Sequence, residues 1–127
     1  YLDQIMKDKY PNIYAVSGAL IGAKILAHTK TLKKLSMMTA STIQLLGAEK
    51  ALFRHIKTGA KAPKHGLILQ HQILQRSKPK FRGKIARQLS DKIAIAAKID
   101  YFKGNYLGDK LRKELDDKVT FINKQNK

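Results

Sequence analysis

SKPKFRGKIARQLSDKIAIAAKIDY, Ser77 to Tyr101, is the stretch that decides the fold class. Phe81, Ile85, Leu89, Ile93 and Ala97 follow one another at intervals of four, and Ala86, Ala96 and Ile99 widen the stripe. That spacing predicts one long helix buried along a single side. Pro79 falls near its first turn, where a missing N–H costs nothing. Lys80, Arg82, Lys84 and Arg87 flank the stripe, all in the first half.

Beyond this helix, Gly104 and Asn105 break the chain. Leu107, Leu111, Leu115, Val119 and Ile122 then mark a last amphipathic helix. Its charges are mixed, with Lys110–Glu114 and Glu114–Lys118 one turn apart, the pattern of a solvated face. Upstream, Leu67 to Leu69 reads as a short extended segment, buried and without a second strand to pair with. Ala60 to Gly66, with Lys61, Pro63, Lys64 and His65, reads as loop.

The preceding stretch, Leu46 to Gly59, reads as a glycine hinge and a short helix. Gly47 interrupts the run begun by Ile43, Leu45 and Leu46, and Glu49 lies in the new first turn, where the helix dipole favours an acid. Ala51, Leu52 and Ile56 are expected to face inward, with Lys50, Arg54 and Lys57 on the opposite face. Gly59 is expected to end the helix. Phe53 has two readings, core packing or a flat contact for an unstacked base, the latter open to His65 as well.

Closer to the start, Leu2, Ile5 and Met6 share a helical face that Pro11 ends. Asn12 to about Lys30 reads as one helical run with small residues (Gly18, Ala19, Gly22, Ala23) placed for tight packing. Leu32 and Leu35 mark a short helix, and Thr39, Ser41 and Thr42 offer capping oxygens for the next. The expected architecture is all-α: one compact multi-helix domain with a C-terminal amphipathic helix. Residues 1–10 read as the end of a helix that begins upstream, so the chain reads as a piece of a longer protein. The domain proper is expected over 11–104, with a last helix over 105–127 packed on it.

The charge is not that of an ordinary globular protein. The 127 residues carry a formal net charge of +17. Between Lys50 and Ser90 there are eleven lysines and arginines and no acid, whereas the last helix is mixed. Such a surface opposes compaction and points to a polyanion partner, nucleic acid first and an anionic membrane surface second. Against the membrane, the helices have no Trp and no broad apolar face. With no cysteine there is no disulfide or thiolate metal site, and no apolar run is long enough to span a bilayer. His28, His55, His65 and His71 lack metal-binding spacing. No carboxylate stands near His55 or His65 in sequence for a triad, and GAKAPKHG lacks the GK[ST] ending of a nucleotide loop. No cofactor is expected, and no enzyme activity.

Three stretches resemble the Nop domain, particularly the form found in archaeal scaffold proteins of box C/D guide ribonucleoproteins. They are STIQLLGAEKALFRHIKTGAKAPKHG (Ser41 to Gly66), RGKIARQLSDKIAIAAKIDYF (Arg82 to Phe102) and, more weakly, PNIYAVSGALIGAKIL (Pro11 to Leu26). The resemblance covers roughly residues 1 to 107. It implies an all-helical module that is not an enzyme. Such a module binds the joint surface of a kink-turn guide RNA and the ribosomal-like kink-turn protein already on it, in support of RNA-guided 2′-O-methylation of rRNA. It also implies self-dimerisation through a coiled coil, of which residues 1–9 are the expected end, and a fibrillarin contact through an N-terminal domain, both outside this sequence. The family's GAEK motif falls on Gly47, Ala48, Glu49 and Lys50, and its ALFR motif on Ala51, Leu52, Phe53 and Arg54. Both are implicated in meeting the kink-turn complex. The sequence departs from the family at Ala62 and Gln72, where prolines are usual.

Residue and family readings converge on one candidate surface. Lys50, Arg54, Lys57, Lys61, Lys64, Arg82, Lys84 and Arg87 are expected on phosphates, with Gly47, Ala48, Glu49, Phe53 and His65 against RNA or partner protein. The alternative is a generic basic helical domain that binds any duplex. The expected location is the cytoplasm of an archaeon, or the nucleolus if the source is eukaryotic.

Overall fold

The computed structural model describes residues 1–61 and 66–125 and is helical throughout, with no strand among the described residues. In chain order the helices are α1 (Leu2–Lys9), α2 (Pro11–Ser17), α3 (Ala19–Thr29), α4 (Leu32–Ser36), α5 (Ala40–Gln44) and α6 (Glu49–Thr58). Then come α7 (Gln72–Arg76), α8 (Arg82–Phe102) and α9 (Gly108–Lys124), with 3-10 turns at Leu67–Gln70 and Pro79–Phe81.

Helix α8 is the axis of the domain. Ile85, Ala86, Leu89, Ile93, Ala96 and Ala97 are fully enclosed, and α2, α4, α5 and α9 pack around it. Burying side chains such as Ile85, Leu89 and Ile93 contributes about 1.5–3 kcal/mol each. Its register is the one read from the sequence, and Pro79 opens the 3-10 turn that leads in. Ile13, Val16, Ile25, Leu35, Ile43, Ile68, Leu74 and Leu115 complete a continuous core.

The short helix α2 is held at both ends. Pro11 has no N–H, and the backbone N–H groups of Asn12 and Ile13 donate to the Asp100 carboxylate of α8 at 3.1 and 2.9 Å. The Asn12 amide donates to the same carboxylate at 2.8 Å and accepts from the Leu107 N–H at 2.8 Å, joining α2, α8 and the entry to α9. At the other end, the Arg112 guanidinium donates to the Val16 carbonyl at 3.2 Å. An acid at the first turn and a cation at the last both complement the helix dipole.

Three expectations need correction. The run from Asn12 to Lys30 is two helices, because Gly18 takes φ +83° and ends α2. Gly22 does pack tightly, since a Cβ there would lie 2.8 Å from the Met6 methyl group. Leu67 to Leu69 is a 3-10 turn and not an extended segment; its Ile68 is nevertheless fully buried. In α9, Glu114 pairs across to Lys92 of α8 at 2.8 Å, while the intrahelical pairs are Arg112–Asp116 and Lys113–Asp117. The last helix packs on the domain as expected, but Glu114 belongs to that contact and not to the solvated charge pattern read from the sequence.

Candidate nucleic-acid interface

The chain leaves the core at Leu46 and returns at Ile68, both buried. The two crossings lie side by side, with the Gly66 N–H donating to the Gln44 carbonyl at 2.8 Å and the Leu67 N–H to the Leu46 carbonyl at 2.7 Å. This contact demands glycine at 66, because a Cβ there would fall 1.9 Å from the Leu46 carbonyl oxygen. Gly47 is equally constrained, with φ +90° and Leu67 against the space a Cβ would take. What lies between is an arm: no described residue from Gly47 to Lys61 is buried.

Helix α6 is the described body of the arm. Ala48, at its N-cap, gives no side-chain oxygen. Glu49 substitutes by folding back, its carboxylate accepting from the Gly47 N–H at 3.0 Å and meeting His28 Nε2 of α3 at 3.0 Å. Slight burial pushes the Glu49 carboxyl up, but the N–H groups of Glu49 and Gly47 and the His28 contact outweigh it and hold it below the ordinary carboxylate range. At the far end Gly59 stops the helix in the left-handed conformation (φ +76°). His55 Nδ1 meets the Ala60 carbonyl at 2.6 Å, fixing the exit of the chain.

The expected inward face of α6 does not exist. Ala51 and Leu52 are half-buried, and Ile56 is 70% exposed. Ile43, Leu46 and Ile68 are enclosed in the core, and no α6 residue is among the half-buried apolar ones packed against it. Phe53, 58% exposed, is likewise no core residue. Its ring carries the Lys57 ammonium at 4.6 Å, a cation–π contact. The helical period puts Leu52, Phe53 and Ile56 along one strip and Lys50, Arg54 and Lys57 along the strip next to it, with Phe53 and Lys57 at their border. The arm therefore offers a cationic strip beside an uncovered apolar one.

The other candidates separate from this group. Lys61 is exposed at the end of the described arm. Lys64 and His65 lie outside the described residues. Arg82 turns its guanidinium onto the end of α7, donating to the Leu74 carbonyl at 2.9 Å, and so serves the fold. Lys84 and Arg87 are exposed on the first turns of α8, Arg87 paired with Asp91 at 3.2 Å. They line a groove against the end of α9, together with Lys118, which the charge pattern assigns to a solvated face, and Phe121. The available signal was that Phe121 falls outside the Leu111–Leu115–Ile122 stripe and so must face solvent. Among the described residues, no group of His, Asp and Glu is placed to hold a metal ion, and no helix is long and apolar enough to cross a membrane.

The chain matches the Nop family, described as "snoRNA binding domain, fibrillarin", over residues 1–121. It is 46% identical over 125 residues to an uncharacterized NOP5 family protein of Methanocaldococcus jannaschii, covering 98% of this chain and 30% of that one. It is 40% identical over 124 residues to nucleolar protein 56 of Homo sapiens, covering 95% and 21%. Among solved structures, a chain of the fibrillarin/Nop5p complex superposes with a TM-score of 0.74 at 31% identity, covering 95% of this chain and 44% of that one. The chain thus spans less than a third of the curated relatives it matches. By sequence and by fold, it belongs to the Nop family.

Proposed function

We propose that this domain is the ribonucleoprotein-binding module of a box C/D guide scaffold, and that it carries out no chemistry of its own. It recognises the composite surface formed by a kink-turn guide RNA and the kink-turn protein bound to it. The carrying observation is the arm: a helix with no buried residue, on which a cationic strip runs beside an apolar one. A folded protein leaves such a helix uncovered at a cost in exposed apolar surface, which a partner removes.

Lys50, Arg54, Lys57 and Lys61 reach phosphates, with Lys64 beside them in sequence. Phe53 and Ile56, with Gly47 and Ala48 leaving room for close approach, meet the partner protein or an unstacked base. Neither half is large, so each alone binds weakly and the two together select the assembled complex. In the whole protein the reading extends to a dimerising coiled coil upstream and to fibrillarin as the methyltransferase partner of RNA-guided rRNA 2′-O-methylation. Work in the nucleolus follows for a eukaryotic source, and in the cytoplasm for an archaeal one.

The second reading, a general basic duplex binder, draws on the +17 charge. One titration separates the two: kink-turn RNA with and without the kink-turn protein. A tenfold or greater gain in affinity with the protein present is expected. Equal affinity in both arms rejects composite recognition in favour of the general binder.

A further inference from the structure

The first turns of α8 and the last turns of α9 enclose an open groove of about 520 Å³, away from the arm in the chain. Its lining is Gly83, Lys84, Arg87, Gln88, Lys118, Phe121, Ile122 and Gln125. This set has three cations, two amides, one exposed aromatic ring and no acid. Phe121 is 63% exposed although its neighbour Ile122 is anchored in the core. The floor is firm, because the Lys92–Glu114 pair and Leu115 fasten α9 to α8. Gly83, the second residue of α8, leaves bare backbone at the edge of the groove, where a Cβ would meet nothing among the described residues within 4 Å.

From this juxtaposition we infer that the groove binds an extended single strand of RNA, separate from the kink-turn contact of the arm. Lys84, Arg87 and Lys118 meet successive phosphates, Phe121 stacks an unpaired base, and Gln88 and Gln125 supply amides for base or sugar edges. Arg87 reaches the strand from its pair with Asp91, a contact exposed on both sides and so weakly held. A duplex keeps its bases stacked inside and leaves Phe121 without a partner, which is why the assignment is to a single strand. The inference rests on the proposed RNA-binding role of the domain, but on different residues.

The test uses this chain with a fluorescent twelve-residue oligouridylate and no kink-turn protein. Phe121→Ala and the double variant Lys84→Glu, Lys118→Glu are each expected to weaken binding about fivefold or more, the size of one lost base–aromatic stack or more. All three positions are exposed, and melting curves check that the variants fold. The same variants should keep three-part assembly with kink-turn RNA and its protein within twofold, while Arg54→Glu in the arm should do the reverse. Oligouridylate affinity unchanged in both groove variants overturns the inference. So does equal competition by an acidic peptide of matched charge, which makes the groove a protein contact. Loss confined to the groove variants upholds the inference even if Arg54→Glu leaves assembly intact, a result that would count against the composite-surface reading alone.

Discussion

Asp100 stands in the last turn of α8, where the helix dipole disfavours an acid. Its reason lies in α2, whose Asn12 and Ile13 N–H groups have that carboxylate as acceptor. Asp100→Ala removes every one of these contacts and strands buried donors, so a loss of about 2–3 kcal/mol is expected in urea unfolding. Ser90 presents the opposite case. Its hydroxyl is enclosed in α8 with no hydrogen-bond partner among the described residues, and Ser90→Ala should raise stability by about 0.5–1 kcal/mol. A drop of that size would instead reveal a partner for the hydroxyl. His71 is buried where α7 begins, its Nδ1 accepting from the Ile73 N–H at 3.1 Å. Burial, then the nearby positive charge of Arg112 and, more weakly, Arg76, push its pKa down to about 4, against opposing help from the Val16 backbone and Asp116. The folded state thus holds His71 neutral where the unfolded chain, titrating near 6.5, takes a proton. Stability from this residue is whole above about pH 6.5 and is lost as pH falls towards 4, by roughly 3 kcal/mol in all. His71→Asn, a neutral cap, should flatten that part of the stability profile relative to the unaltered chain.

At the scale of the element, α8 and α6 show what a periodic pattern does and does not contain. The α8 stripe gave its buried positions almost residue by residue, because a stripe that long has to be covered over its whole length. The short α6 pattern gave the helix, its acidic first turn and its glycine stop correctly. It gave the wrong environment for Ile56, since periodicity identifies a face without saying whether this chain or another molecule covers it. That information sits in the pairing of Leu46 with Leu67, across residues distant in sequence and with no local signature. Leu67 to Leu69 reads as extended for a related reason: a short apolar run does not separate a strand from a 3-10 turn. An arm that supports nothing beneath it should tolerate change. Ile56→Ser and Arg54→Glu are expected to shift unfolding by under about 0.5 kcal/mol. Ala48→Arg with Arg54→Glu should, however, abolish assembly with kink-turn RNA and its protein in a gel-shift assay. Normal assembly by that double variant places the contact elsewhere.

For the molecule as a whole, charge was the most legible property and its arrangement the least. The acid-free window from Lys50 to Ser90 pointed to a polyanion at once. Only the fold divides that window into an arm, an Arg82 that serves α7, and a groove shared with α9. Four cations of the arm acting on phosphates predict a log–log salt slope of about −3 for RNA binding, at roughly 0.7–0.9 per phosphate. Removing Lys50 and Lys57 together should flatten that slope by about 1.5. A slope near zero in the unaltered chain rules out phosphate contact as the basis of affinity.

The Asn12 amide, which takes its donor from Leu107, closes a loop of chain 95 residues long. During translation the early helices emerge well before the segment that locks them, so α2 waits with an unsatisfied buried face until Leu107 has left the ribosome. A nascent chain with only the residues up to Gly104 outside the ribosome should therefore be cut readily by protease near Asn12, and one with the whole of α9 outside should resist.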